Sequence, residues 1–220
     1  MIQVKNLTKT FIDGDKTTHV LKGIDFEAQS GEFIAIMGRS GAGKSTFMYQ
    51  MSLLDEPTSG EIIIDGHDAH NMTSDEKTNF RLTELGYVFQ DYALLPDLTA
   101  KENVALPLLM QGKSKKEAYE IAVSALEKAG LEHRIDFLPS QMSGGEQQRV
   151  SIARSVAHRP KILFADEPTA NLDNYSSGLV MEMFKELHKE GQTIIMVTHE
   201  EQYAKLAEKI IRLDDGKIVK

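Results

Sequence analysis

A short glycine-rich segment ends in a lysine and a serine: residues 38–45 read GRSGAGKS. The spacing fits the pattern G-x-x-x-x-G-K-[ST], and the segment lies between the apolar run FIAIM at 33–37 and the run TFMYQMSLL at 46–54. A strand, a glycine loop and a helix in this order can hold a phosphate chain, because bare backbone N–H groups and the helix N-terminus attract anions. Lys44 would then bridge the β- and γ-phosphates, and Ser45 would bind Mg²⁺. An ordinary glycine-rich turn before a helix is the alternative. The candidate nucleotide-binding residues here are Gly38, Arg39, Ser40, Gly41, Ala42, Gly43, Lys44, Ser45 and Thr46.

Two adjacent carboxylates follow another apolar run. Residues 162–167 read ILFADE, so Asp166 and Glu167 stand at the end of a predicted strand. Asp166 could hold a hydrated Mg²⁺, and Glu167 could orient and polarise the attacking water. Taken alone, such a pair is more often a helix cap or a solvated turn, so the functional interpretation depends on the glycine segment. His199 closely follows the run TIIMV at 193–197, and a lone histidine there would usually be structural.

The elements that must position these side chains are short apolar runs alternating with helical segments. We predict strands, mostly buried on both faces, at FIAIM (33–37), KILFA (161–165), TIIMV (193–197) and KIIRL (209–213). Apolar residues recur at helical spacing from 114 to 129, with a capping box predicted at Ser114 and Glu117 and a stop at Gly130. This alternation predicts an α/β fold with a mostly parallel core sheet and ligands at the carboxyl ends of the strands.

Two further regions have their own patterns. Three short runs predict a small antiparallel sheet: Ile2 to Leu7, His19 to Ala28 and Glu61 to Ile64. The middle of the chain, from about Thr99 to about His158, is helix-rich, and two more capping boxes are predicted there, at Thr99/Glu102 and Ser143/Glu146. We therefore expect one domain, 1–220, with an antiparallel β portion at roughly 1–30 and 60–88, a helical subdomain at roughly 91–158 and the phosphate-binding core in the remainder.

Composition and charge exclude several classes of protein. The chain is 41% hydrophobic and 26% charged, as in an ordinary globular protein. Its net charge of -8 gives no general attraction to nucleic acid or to anionic lipid. With no cysteine it can form no disulfide or thiolate metal site, which fits a reducing cytoplasm. The first residues lack the pattern of a signal peptide, and the apolar runs are shorter than the ~20 residues that cross a bilayer. Any membrane role is therefore expected to come from a partner.

Residues 142–149, MSGGEQQR, resemble the LSGGQ-type signature of the ABC ATPase family. Ser143 can cap a helix that begins near Gly144, so that bare glycines and a helix N-terminus offer a second anion site. A capping box without further function is the alternative. Three positions depart from the usual family pattern: Arg39 stands in place of proline, Met142 in place of leucine, and Glu146 where many members carry glutamine.

The resemblance extends along essentially the whole chain, with the motifs in family order. Phe11 resembles the adenine-stacking aromatic, Gln90 the Q-loop glutamine, Asn171-Leu172-Asp173 the D-loop and His199 the switch histidine. The resemblance implies ATP and Mg²⁺ as ligands, with ATP sandwiched between the phosphate loop of one subunit and the signature of another. It implies a homodimer, or a dimer with a related ATPase, that drives membrane permease subunits from the cytoplasmic face. The implied catalytic residues are Glu167, His199, Gln90 and Lys44; the implied metal ligands are Ser45, Gln90 and Asp166; the implied signature and D-loop contacts are Ser143, Gly144, Gly145, Glu146 and Asp173.

Within the family, the chain most resembles the LolD/MacB-like export group, through segments 53–61, 88–104 and 165–173. This similarity implies export of a lipoprotein, a peptide or a drug-like substrate. The alternative is an FtsE-like ATPase that regulates a membrane partner in cell division without transport. A soluble ABC ATPase of DNA repair or translation is a weaker third possibility, because the chain lacks a coiled-coil insertion and a second ATPase unit. No nucleic-acid partner is expected from so acidic a chain.

Overall fold

The structure is a computed structural model that describes residues 1–219. Over these residues the chain forms ten strands and seven α-helices, with two short 3-10 turns at Glu132–Arg134 and Pro139–Gln141. In chain order the elements are β1 (Ile2–Asp13), β2 (Lys16–Ala28), β3 (Phe33–Met37), α1 (Lys44–Met51), β4 (Ser59–Ile64), β5 (His67–Asp68), α2 (Ser74–Glu84), β6 (Leu85–Val88), α3 (Ala100–Met110), α4 (Lys115–Lys128), α5 (Gly144–Val156), β7 (Ile162–Asp166), α6 (Asn174–Lys189), β8 (Thr193–Val197), α7 (Glu201–Ala204), β9 (Lys209–Asp214) and β10 (Lys217–Val219).

The chain divides into two compact units, Met1–Arg81 with Gly191–Lys220, and Leu82–Glu190. The first unit contains the predicted antiparallel sheet, with strand order β2-β1-β4-β5. β1 and β2 form a long hairpin, paired from Ile2 opposite Ala28 to Asp13 opposite Lys16. Because side chains alternate along a strand, apolar residues of three strands line one buried face of this sheet. These residues are Ile2, Val4, Leu7, Ile24, Phe26, Ile62 and Ile64.

The first unit also contains parallel strands, in which β3 pairs with β8 on one side and with β9 on the other. Every residue of β3 and β8 is buried, as the apolar runs predicted. The prediction of burial is wrong for KIIRL: β9 forms, but Leu213 is its one buried residue and Ile210 is 39% exposed. The run carries Lys209 and Arg212, whose charges stay solvated, and β9 pairs on its other side with the short antiparallel strand β10.

The second unit consists of the parallel pair β6 and β7 and a group of helices. The predicted antiparallel portion at 60–88 therefore extends too far, because β6 at its end pairs in parallel with β7. Helices α3, α4 and α5 share one apolar core, since each contributes small or branched side chains at helical spacing. Its fully buried residues include Val104, Ala105, Leu108, Ala118, Ala122, Leu126 and Val150.

Two of the three predicted capping boxes form in the structure. Thr99 and Glu102 form a reciprocal box at the start of α3, and Ser143 with Glu146 does the same at α5. At α4 the Ser114 hydroxyl accepts the Glu117 N–H at 3.2 Å, but the Glu117 carboxylate lies 2.9 Å from Lys113 Nζ. Lys113, one residue before the cap, thus binds the Glu117 carboxylate that was predicted to complete the capping box. Within residues 1–219, no helix is long and apolar enough to span a membrane.

Candidate functional site

The glycine segment forms the loop between β3 and α1. Gly41 and Gly43 have φ values of +79° and +97°, a region that residues with side chains rarely adopt. A Cβ on Gly38 would lie 2.2 Å from the backbone oxygen of Leu213, so the chain approaches too closely there for any side chain. The path of this loop therefore depends on glycine at three of its positions.

Lys44 and Ser45 begin α1 directly after the loop. Lys44 is only 7% exposed, and its Nζ donates to the carbonyl of Arg39 at 3.2 Å, so the ammonium lies against the loop backbone. The first turn of α1 carries no acidic residue that would offset the positive end of the helix. A helix N-terminus, bare glycines and a buried ammonium together form an anion-binding arrangement suited to phosphate.

A turn after β9 supports this loop, and the sequence analysis did not identify it. Gly216 donates its N–H to the carbonyl of Ala42 at 3.2 Å and accepts the N–H of Lys22 at 2.9 Å. The carboxylate of Asp215 lies 2.6 Å from Lys22 Nζ. The dipeptide Asp215-Gly216 is itself a turn signal, but nothing in the local pattern indicates a contact with a loop so far away in the sequence.

Phe11 and His199 belong to the same unit as the phosphate loop, and both are exposed. Phe11 lies on β1 with its ring 47% exposed, and Lys9 Nζ stands 5.0 Å from the ring centroid. An exposed aromatic ring of this kind can stack on a planar base. His199 follows the end of β8, where the N–H of Thr198 donates to the carbonyl of Ile36 on β3 at 3.1 Å. This bond extends the β3–β8 pairing and fixes the backbone next to the histidine.

The acid pair lies in the second unit, at the end of β7. Asp166 is the last residue of the strand and is 6% exposed. Glu167 is half-buried and has a φ of +44°, the left-handed region that costs energy for a residue with a side chain. The fully buried Gln148 of α5 donates its Nε2 to the carbonyl of Pro168 at 2.9 Å. Gln148 was not among the predicted site residues, yet it holds the backbone directly after Glu167.

The predicted signature forms the N-terminus of α5. The N–H of Ser143 donates to Glu146 Oε2 at 2.8 Å, and the Ser143 hydroxyl accepts the N–H of Glu146 at 3.3 Å. A Cβ on Gly144 would lie 2.7 Å from the Tyr92 hydroxyl, and one on Gly145 would lie 2.6 Å from the side chain of Ser176. Both signature glycines thus sit where neighbouring side chains leave little room.

Glu146 has a second partner besides its cap. Its Oε1 accepts from Arg134 Nε at 2.8 Å. Burial raises the pKa of Glu146, but the Ser143 N–H, the Arg134 guanidinium and the Ser143 hydroxyl outweigh burial and bring the pKa to about 2. The carboxylate is therefore ionised at any physiological pH.

Gln90 and the predicted D-loop meet in the same unit as the signature. The exposed Gln90 follows β6, and its carbonyl accepts from Asn171 Nδ2 at 3.1 Å. Asp173 caps α6, accepting the N–H and the hydroxyl of Ser176, both at 2.9 Å. The second unit thus brings Gln90, the acid pair, the signature and the D-loop together around α5, whereas the first unit holds the phosphate loop, Phe11 and His199.

The predicted magnesium ligands have the right chemistry for that ion. Ser45, Gln90 and Asp166 offer hydroxyl, amide and carboxylate oxygens, which are the hard donors that Mg²⁺ prefers alongside phosphate oxygens and water. Within residues 1–219 there is no cluster of three or more histidine, cysteine and acidic side chains that could hold a metal by itself.

Comparison with known proteins extends over the whole chain. The family described as ABC transporter matches residues 21–170. The macrolide export ATP-binding/permease protein MacB of Mannheimia succiniciproducens is 46% identical over 219 residues, covering 100% of this chain and 34% of that protein. The chain thus spans about a third of the length of MacB. The lipoprotein-releasing system ATP-binding protein LolD of Shewanella frigidimarina is 42% identical over 217 residues, which are 98% of this chain and 91% of LolD.

A solved structure confirms the fold class. It is the dimeric structure of a post-hydrolysis state of the ATP-binding cassette MJ0796 bound to ADP and Pi. Its TM-score is 0.94 at 40% sequence identity, and the match covers 100% of this chain and 97% of that one. The family match covers well over half of the chain, and it falls on the glycine loop, the signature and the acid pair. The chain therefore belongs to the ABC transporter family.

Proposed function

We propose that this chain is an ATP-binding and ATP-hydrolysing subunit of an ABC transporter, and that it works as a pair of cassettes closed around two ATP molecules. The observation that carries the proposal is the glycine-dependent loop at 38–43, with a buried lysine at the start of the following helix. It is accompanied in family order by a capped signature helix and an acid pair. These parts match what ATP hydrolysis needs: a phosphate cradle, a second anion site and a carboxylate to polarise water.

In the proposed site the first unit binds most of the nucleotide. Phe11 stacks on the adenine, and the backbone of residues 38–46 surrounds the phosphates. Lys44 contacts the β- and γ-phosphates, where an already desolvated ammonium stabilises the growing negative charge of the transition state. His199 contacts the γ-phosphate. Ser45, Asp166 and Gln90 would supply oxygen ligands for Mg²⁺, which would shield the charge of the phosphates.

Glu167 is the proposed base that orients the attacking water. A base must be held in one position to be effective, and two features favour this at Glu167. Its backbone is in the left-handed region, and the next residue is fixed by the buried amide of Gln148. A backbone held in this way favours one placement of the Glu167 carboxylate at the end of β7.

The signature is proposed to act on a nucleotide held by a second copy. Ser143, Gly144 and Gly145 present the N-terminus of α5, a 13-residue helix whose dipole favours an anion at that end. Glu146 belongs to the same turn, and Asp173 of the D-loop is proposed to lie along the contact between the two copies. Residues of two copies, or of this chain and a related ATPase, therefore complete each site.

Replacement of Glu167 tests hydrolysis separately from binding. We expect Glu167→Gln to bind MgATP with wild-type affinity and to lose about 100-fold or more in kcat, since the amide cannot polarise water as a carboxylate does. Nucleotide binding is measured by fluorescence with a labelled ATP, and turnover by phosphate release. Glu190→Gln, which removes an exposed carboxylate at the end of α6, is the matched control and is expected to turn over normally. Full turnover in Glu167→Gln would reject this residue as the base.

The transported substrate and the membrane partner form a further part of the proposal. The related proteins are named for macrolide export and for lipoprotein release. From these relatives we propose that this chain also takes part in export. Permease subunits would bring it to the cytoplasmic face of a membrane. The test is co-purification of the tagged chain from detergent-solubilised membranes. Recovery of an integral permease with a large extracytoplasmic domain supports export, whereas recovery of cell-division membrane proteins without a permease would contradict it.

A further inference from the structure

Glu146 creates an electrostatic problem for the proposed function. It lies in the first turn of α5, the helix whose N-terminus is proposed to receive the terminal phosphate of a nucleotide held by a second copy. A carboxylate there repels an anion and offsets part of the helix dipole. A chain with glutamate therefore needs another charge to restore the anion site.

Arg134 supplies that charge through a direct contact. Its Nε donates to Glu146 Oε1 at 2.8 Å, while Oε2 of the same carboxylate accepts the N–H of Ser143. His133 Nε2 lies 3.7 Å from Oε1 and is the other basic group facing the carboxylate in the described residues. The Glu146 side chain is only 13% exposed, so water screens its charge less than at an open surface site.

Arg134 is held in place rather than loosely extended from the surface. It ends the 3-10 turn Glu132–Arg134, and its guanidinium stands 4.7 Å from the centroid of the Phe137 ring. Two backbone hydrogen bonds join the segment after this turn to the start of α3. The N–H of Ala100 donates to the Phe137 carbonyl at 2.9 Å, and the backbone N–H of Lys101 donates to the Ile135 carbonyl at 3.0 Å. Little side-chain entropy remains to be lost when the ion pair forms, so the pair is preorganised.

From these contacts we propose that Arg134 is a positioning residue for the signature: it balances the charge of Glu146 and fixes its carboxylate so that the N-terminus of α5 can accept phosphate from a second copy. This inference rests on the proposed function. Arg134 acts through Glu146, and the inference assigns it no contact with nucleotide.

The experiment measures ATP-dependent dimerisation, with Glu167→Gln as the parent protein so that hydrolysis does not open the dimer. Sedimentation velocity at saturating MgATP gives the dimer dissociation constant. We expect Arg134→Gln to raise this constant about tenfold, equivalent to about 1.4 kcal/mol.

Adding Glu146→Gln to Arg134→Gln removes both charges and is expected to bring the constant back to within about threefold of the parent. Arg134→Lys keeps the charge and is expected to retain most of the dimerisation. Added salt should shrink the Arg134→Gln defect, because screening weakens the uncompensated repulsion.

Lys113→Gln is the matched control, since Lys113 forms the same kind of pair with Glu117 in the first turn of α4, a helix to which no nucleotide contact is assigned. It is expected to leave the dimer dissociation constant unchanged. The inference is overturned if Arg134→Gln dimerises like the parent, or if Glu146→Gln does not rescue it, since a purely structural role predicts no rescue. Circular dichroism spectra establish that each variant is folded. A parent that stays monomeric at saturating MgATP would instead contradict the proposed function itself, which makes the two failures distinguishable.

Discussion

At the residue scale, the carboxylates of the two motifs are held in very different ways. Glu167 is positioned through its backbone, in a left-handed conformation followed by a carbonyl that Gln148 binds. Glu146 is positioned through its side chain, which is bound by Arg134 and by the cap of α5. The Glu146 carboxylate is thus fixed by its own hydrogen bonds, whereas the backbone conformation and the bond to Pro168 determine where Glu167 stands.

The pKa of Glu146 makes a prediction about stability against pH. Its pKa falls from 4.5 to about 2 on folding, so its contribution to stability is present above about pH 4.5 and is lost as the pH falls towards 2. We expect Glu146→Gln to lower the free energy of unfolding at neutral pH by about 1 to 3 kcal/mol. The difference from wild type should shrink by about half or more between about pH 6 and about pH 3. Denaturant unfolding across this range measures it, and a difference that stays constant with pH would contradict the assignment.

The sequence indicates candidate chemical residues but not the residues that hold them in the fold. Glycines, Lys44 and the acid pair are recognisable because their chemistry demands those residue types at fixed spacing. Gln148 and Arg134 carry no such signal, because any long polar side chain at those positions looks like a solvated helix or turn residue. Their roles depend on partners, Pro168 and Glu146, that only the folded chain brings within hydrogen-bond distance.

At the element scale, α5 is the organising helix of the second unit. Its N-terminus carries the signature, its buried Gln148 reaches the backbone after β7, and Arg154 in its last turn reaches the segment after Gln90. One rigid helix therefore contacts three predicted motifs. A small displacement of α5 is expected to move all of these contacts together, because packed helices shift as units.

Arg154 provides a test of this connection. Its guanidinium donates to the carbonyls of Ala93 at 2.6 Å and Tyr92 at 3.0 Å, two residues with φ values of +47° and +64°. We expect Arg154→Met to release this strained segment, to lower the free energy of unfolding by about 2 to 4 kcal/mol and to speed amide exchange over residues 90–95. Arg154→Lys keeps the charge but lacks the two parallel donors of the guanidinium. Its free energy of unfolding and its amide exchange should therefore lie between those of the wild type and Arg154→Met. Hydrogen exchange followed by mass spectrometry makes the comparison, and unchanged exchange at this segment would show that Arg154 does not hold it.

The predicted burial of a strand was correct where its residues are almost all apolar. FIAIM and TIIMV form buried parallel strands because every residue except Thr193 is apolar. KIIRL forms a strand but not a buried one, since two of its five residues are cations. The capping box at α4 is incomplete because Lys113 competes for Glu117, a contact that a pattern confined to Ser114 and Glu117 does not consider.

At the scale of the whole molecule, the decisive contacts join residues far apart in sequence. Gly38 lies against Leu213, and Gly216 binds Ala42. The local pattern predicted the strands at 33–37 and 209–213 but neither the turn at Asp215-Gly216 nor these pairings. The order of the candidate site residues along the chain came from the family resemblance, because periodicity and spacing contain no long-range arrangement.

In the proposed cycle, nucleotide joins two copies of the chain through the signature. Sedimentation velocity of Glu167→Gln with and without MgATP tests it most directly, alongside the same protein carrying Ser143→Arg, in which a bulky cation replaces the cap of α5. We expect a monomer without nucleotide, a dimer with MgATP, and a monomer that still binds ATP when Ser143→Arg is added. A protein that remains monomeric at saturating MgATP, or one that dimerises equally well with Ser143→Arg, would contradict it.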